Sequence, residues 1–227
     1  MKSFLPPWSS TCDTSGFEEK SRTWKDRVPA ILCGIFFLVS AGVVTAENGA
    51  VEGKVQIDEK SFRCITQMTK VRQFYVDNLL GNLDATLAVA NSATGGTYPS
   101  GSVIQLVPGE AMVKRDHGFN AATNDWEFFE LDVSRDGTQI RKRGFAEVVN
   151  RFGGNCFGCH IQARPQWDLV CETDHGCAPI PVTRAMSGAL QRTDPRCRAE
   201  TISPEDAEAL KQLNDSLKPS GSNSKNN

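Results

Sequence analysis

Cys156, Cys159 and His160 lie in the run NCFGCH at 155–160, and their types and spacing allow only a few chemistries. Two thiols three positions apart can each add across one vinyl group of a porphyrin. A histidine directly after the second can then reach the iron from the same side. C-x-x-C-H therefore reads as a covalent c-type haem site, with Cys156 and Cys159 as thioether carriers and His160 as the metal ligand. At this Cys and His content, chance gives the pattern in roughly one random chain in a few hundred. Two rivals use the same residues. Cys156, Cys159, Cys171 and Cys177, or a set including His160 or His175, could offer four soft ligands to zinc, although C-x5-C is loose for a zinc knuckle. A thiol–disulfide redox pair comes third, because the strand–helix βαβ setting of that motif is not apparent here.

Haem attachment and spare cysteines both depend on compartment, and the N-terminal sequence bears on that. Residues 28–44, VPAILCGIFFLVSAGVV, are the only strongly apolar run. Lys20, Arg22, Lys25 and Arg27 precede it and the small-residue exit Val44-Thr45-Ala46 follows. This order describes a secretory signal over 1–46 with cleavage after Ala46, the alternative being an uncleaved membrane anchor. The protein is thus expected in the periplasm or otherwise exported. Cleavage removes Cys12 and Cys33 and leaves Cys64, Cys156, Cys159, Cys171, Cys177 and Cys197. The charge balance of 25 Lys+Arg against 27 Asp+Glu gives no general attraction to nucleic acid. A hydrophobic fraction of 39% over 227 residues is enough for a packed core.

The elements that must position the motif are mostly strands. Residues 47–61 read as a polar lead-in. From Ile65 to Leu80, Met68, Val71, Phe74, Tyr75 and Leu79 recur at three and four, which predicts an amphipathic helix stopped at Gly81. After the loop NSATGGTYPSG (91–101), strands are predicted at 102–107, 111–115, 126–133 and 138–144, the last two forming a hairpin across Asp136-Gly137. Helices are predicted at 181–192 and at 203–217, the latter with Ser203 as N-cap and Pro204 at the first helical position. Residues 218–227 read as a disordered tail. The fold class expected is α+β, a mostly antiparallel β-sheet flanked by helices and carrying one covalent haem.

A haem motif this late in the chain, preceded by strands, is unlike small helical cytochromes. With YPSGSVIQLV, NDWEFFELDVS, RGFAEVVNRFGGNCFGCH and ARPQWDLVCETDHGC, the chain resembles the cytochrome P-460 family and its non-catalytic relatives, the β-type cytochromes c′. It is most similar to exported members that share the C-terminal cysteine-rich stretch. The resemblance covers about residues 62–197, and its one specific element is the haem motif. It implies a single haem c with iron, held by Cys156, Cys159 and His160, in a domain of residues 62–202. It also implies an iron face open to small nitrogen ligands or gases. Catalytic members are haem oxidoreductases acting on hydroxylamine or nitric oxide, helped by a lysine cross-linked to the porphyrin and a pocket carboxylate. The aligned strand GSVIQLV has no lysine; Lys114 lies on the next segment. For the distal pocket, WEFFE offers Phe128 and Phe129 as apolar caps and Glu127 or Glu130 as proton carrier. Strand alternation prevents all four from sharing a face.

On chemistry alone, Met68, Met112, Lys114, His117, His175 and Met186 could each be a sixth iron ligand. The four cysteines outside the motif allow three pairings. The expected one is Cys171–Cys177 with Cys64–Cys197. The reading is an exported monohaem cytochrome that binds or oxidises a small nitrogen ligand or carries single electrons. Its partner is that small molecule or an electron-transfer protein, a homodimer is allowed, and membrane contact is expected only through an uncleaved N-terminus. The alternative from another class is a zinc- or disulfide-stapled extracytoplasmic binding module without redox activity.

Overall fold

The computed structural model describes residues 54–151, 153–197 and 201–218. The apolar run at 28–44, its expected cleavage site and the tail beyond 218 lie outside the described residues. Among those described, no helix is long and apolar enough to cross a membrane.

The centre is a six-stranded antiparallel sheet whose spatial order follows the chain. Its strands are β1 (Thr69–Val71), β2 (Phe74–Asn78), β3 (Ser102–Gln105), β4 (Glu110–Lys114), β5 (Trp126–Ser134) and β6 (Gly137–Gly144). The α-helices are α1 (Leu83–Ala90), α2 (Cys156–His160), α3 (Arg184–Arg192) and α4 (Pro204–Ser216). The expected α+β class holds. The four strands read between 102 and 144 are all present, and the β5–β6 hairpin turns at Arg135-Asp136, with Gly137 taking a positive φ of 124°. Only glycine is at ease there.

The helix expected over Ile65–Leu80 does not form. Its place is taken by a short 3-10 turn at Ile65–Gln67 and the β1–β2 hairpin. The sheet explains the misreading. Val71, Phe74 and Val76 sit in one core while Met68 and Tyr75 sit in the other. Both faces of β2 are covered, so its apolar residues lack a clean period of two, and their spacing imitates a helix. Helix α1, which that pattern did not reveal, follows directly and packs Leu83, Leu87 and Val89 against the first core.

Most residues of the 54–61 segment are exposed, in keeping with its polar composition, and Val55 anchors it to the domain. Val55 is buried and its N–H donates to Asp116 at 3.2 Å. The second core, with Phe62, Ile65, Val113, Phe129 and Leu131, lies under this segment. Helix α3 packs on α4, and Gln191 Nε2 of α3 donates to the Gln73 and Leu106 carbonyls at 2.7 Å each, closing the sheet's end.

Both expected disulfides are present, Cys64–Cys197 and Cys171–Cys177. Cys64, Cys197 and Asp194 lie close enough to suggest a metal group, but the two sulfurs are bonded to each other. The Asp194 carboxylate is also occupied, by the Ile65 N–H and the Arg196 guanidinium.

Candidate functional site

Helix α2 carries all three residues of the motif, and the loop before it sets where it begins. Asn155 is the N-cap, accepting from the Gly158 N–H at 2.7 Å while its own amide donates to the Ala146 carbonyl at 2.8 Å. The Cys156 N–H donates to the Val148 carbonyl at 3.0 Å. These bonds lay α2 against the core that holds Trp126, Phe128 and Met112, with Cys156 and Phe157 packed on it. Cys156 and Cys159 are the free cysteines among the described residues. Burial, ahead of the nearby Glu110 and Glu130 carboxylates, pushes the Cys156 thiol up to about 12, so it stays protonated.

His160 lies beside Phe128, their ring centroids 5.1 Å apart. Its Nδ1 is 2.7 Å from the Leu169 carbonyl. A carbonyl only accepts, so Nδ1 carries the proton and Nε2 keeps its lone pair. Burial lowers the imidazole pKa, with the Leu169 bond opposing, which favours the neutral ring a metal requires. Two unpaired thiols and a neutral imidazole with one committed nitrogen, all on one short helix, fit the donor set of a c-type haem.

The four-thiolate zinc arrangement does not survive, because Cys171 and Cys177 are bonded to each other. His175 is turned to other work as well. It stacks on Trp167 at 3.9 Å and its Nδ1 meets the Val170 carbonyl at 2.7 Å.

The sheet sorts the pocket candidates. Phe128 and Glu130 lie on the α2 side, Phe128 in the α2 core and Glu130 close enough to act on the Cys156 thiol. Phe129 is in the opposite core. Glu127 is turned the same way as Phe129 and is held by Arg115 at 2.6 Å and Arg143 at 2.7 Å. Phe129 and Glu127 are thus removed from the His160 side by the alternation of β5. Among the sixth-ligand candidates, Met112 shares the α2 core and faces Phe128 in register. Met68 lies in the other core, Met186 is on α3 with its sulfur accepting from Thr183, and His117 is fully exposed. Lys114 is buried and paired with Asp168 at 2.7 Å.

Glu110 was not singled out in the sequence, yet it stands directly across from Glu130 in the β4–β5 register. Glu130 is buried, and Arg141 lies 2.9 Å from it without hydrogen-bonding alignment, so neither carboxylate oxygen accepts a hydrogen bond. Burial first and Glu130 second raise the Glu110 pKa from 4.5 to about 7, while Arg151 opposes. The folded state therefore binds this proton more tightly than the unfolded chain. Stability is expected to fall as pH climbs from 4.5 to about 7. The size is up to about 3 kcal/mol, reduced by the partial exposure of the group. Glu110→Gln should remove that slope, matching the parent's urea midpoint at pH 4.5 and exceeding it at pH 8. Equal parent and variant midpoints at both pH values would sink the assignment.

Asp168, the buried partner of Lys114, was not singled out in the sequence either. A signal did exist: Lys114 falls on the inward phase of β4 with Met112, and a lysine so placed demands a partner. Comparison with family models, with curated proteins and with solved structures gives no match.

Proposed function

We propose that this chain is an exported monohaem c-type cytochrome of the cytochrome P-460-like class, which binds or oxidises a small nitrogen ligand or carries single electrons. The observation that carries the reading is α2. It presents two free thiols three residues apart and, on the next residue, a histidine whose Nδ1 is committed to the Leu169 carbonyl. Cys156 and Cys159 would hold the haem through thioethers, each S–H adding across a vinyl bond, and His160 Nε2 would ligate the iron. When bound, the haem supplies a one-electron couple and a coordination position for a small ligand.

The chain's own residues do the holding and shielding. Leu169 keeps the proton on Nδ1, Phe128 packs beside the imidazole, and Trp126 and Met112 continue the apolar surface behind it. Export is supported by two disulfides, which persist in oxidising compartments, and by the basic-flanked apolar run at 28–44.

The test is the absorption spectrum of the protein produced with haem-maturation machinery. A Soret band that stays with the protein through acidified organic solvent is expected. No Soret band, or one that extracts, refutes the reading. Within it, a high-spin spectrum that shifts on adding nitric oxide assigns ligand chemistry, and a low-spin spectrum indifferent to nitric oxide assigns electron transfer.

A further inference from the structure

The carbonyl that meets His160 belongs to a loop held in an uncommon shape. Asp168 and Leu169 are consecutive non-glycine residues in the left-handed region, with φ of 48° and 63°. Such backbone is unfavourable for residues with a Cβ and persists only where its surroundings impose it. Those surroundings are Lys114 and its neighbours. Lys114 Nζ donates to both Asp168 oxygens at 2.9 and 2.7 Å, the Tyr98 N–H donates to Oδ2 at 2.9 Å, and Asn124 Nδ2 to Oδ1 at 3.2 Å. Trp126 Nε1 holds the Asp168 carbonyl itself at 2.8 Å, and the Lys114 ammonium lies 5.1 Å from the Trp126 ring centre.

Lys114 and Asp168 expose only 6% and 4% of their side chains. Desolvation consumes most of what a buried ion pair gains, so such a pair adds little net stability compared with an apolar substitute. What it does contribute is geometry. With the Asp168 side chain and carbonyl both clamped, the next carbonyl, Leu169, is aimed at His160 Nδ1. A hydrogen bond from that nitrogen to a carbonyl orients the ring and raises its basicity as a ligand.

We infer that the buried Lys114–Asp168 pair is a positioning device for His160, clamping the 168–169 turn so that the Leu169 carbonyl sets the imidazole's tautomer, orientation and donor strength. The inference rests on the haem reading above. Neither residue touches the iron; both act through Leu169. The pair therefore tunes the reduction potential of the site and is not needed for attachment.

The experiment compares parent holoprotein with Asp168→Asn and with the double variant Lys114→Met/Asp168→Asn, which leaves no lone charge buried. Readouts are covalent haem after acid extraction, midpoint potential and the iron–histidine stretching frequency of the ferrous protein. Covalent haem should be retained in both variants. The midpoint should move positive, by about 59 mV for each tenfold loss of preference for the oxidised state, and the stretching frequency should fall. Lys114→Arg, which keeps the charge and the donors, should bring both readouts back toward the parent. Variants that carry covalent haem with unchanged potential and frequency overturn the inference while the haem reading stands. Both carboxamide variants failing to accumulate as folded protein also overturns it, because the pair would then serve folding. A parent that takes up no covalent haem instead fails the haem reading on which the inference depends.

Discussion

Alanine at both Cys156 and Cys159 is expected to give a folded chain from which acidified organic solvent removes every trace of haem. The sheet does not depend on these thiols. Both motif cysteines are half-buried and only Cys156 edges onto the first core, whose most buried members include Val76, Trp126, Phe128 and Val148. The start of α2 is set by Asn155 and by the Cys156 backbone, neither of which the substitution alters. Shortening two half-buried side chains costs about 1 kcal/mol each, so the far-ultraviolet spectrum should match the parent's. Only the covalent tether is lost, and any haem still bound through His160 must leave when acid protonates the imidazole. Either single alanine variant retains one thioether and resists extraction, with an altered pyridine haemochrome band. Haem that survives extraction from the double variant would show attachment elsewhere and remove Cys156 and Cys159 from the site.

The second large effect concerns stability. Cys64 and Cys197 are separated by 133 residues, so their bridge closes nearly the whole described chain into one loop. On chain-entropy grounds a loop of that size restricts the unfolded ensemble by about 5 kcal/mol. Cys171–Cys177, with a separation of 6, restricts it by about 2 kcal/mol. The double variant Cys64→Ala/Cys197→Ala should therefore lower the urea midpoint at least twice as far as Cys171→Ala/Cys177→Ala. The long bridge also secures a buried polar knot, in which Asp194 accepts from the Ile65 N–H at 2.9 Å and Arg196 donates to the Phe62 carbonyl at 3.1 Å. Its loss should loosen the 54–68 segment over the second core, seen as faster amide exchange at Ile65. A larger penalty from the short bridge would show that native contacts around His175, rather than loop closure, dominate.

The two variants also separate two roles that the cysteine count alone runs together. The long bridge joins the chain's early segment to its late one, far from α2 in sequence. The short bridge closes the loop next to Leu169, whose carbonyl meets His160. Its removal is therefore the one that bears on the site, and the long bridge bears on the fold.

What the sequence determined by itself was local. The motif C-x-x-C-H is legible from neighbouring residues alone, and it nominates the haem chemistry proposed above. Likewise β3 through β6 announced themselves as short runs bounded by turn residues such as Pro108-Gly109, Asn124-Asp125 and Asp136-Gly137, because a turn is a property of its own few positions. Wherever a feature depended on what covers an element, local pattern failed. β2 is buried on both faces and mimicked a helix. Alternation alone placed Phe128 and Phe129 on opposite faces of β5, but which of them meets His160 is set by which face Val148, Cys156 and Phe157 pack against. The same holds for Lys114 and Asp168, 54 positions apart. The inward phase of Lys114 calls for a partner but does not name Asp168, and their closeness follows from β4 lying beside β5 while the loop after α2 folds back over Trp126. Spacing along the chain could nominate the ligand; only the packing of distant segments could decide which carbonyl holds it.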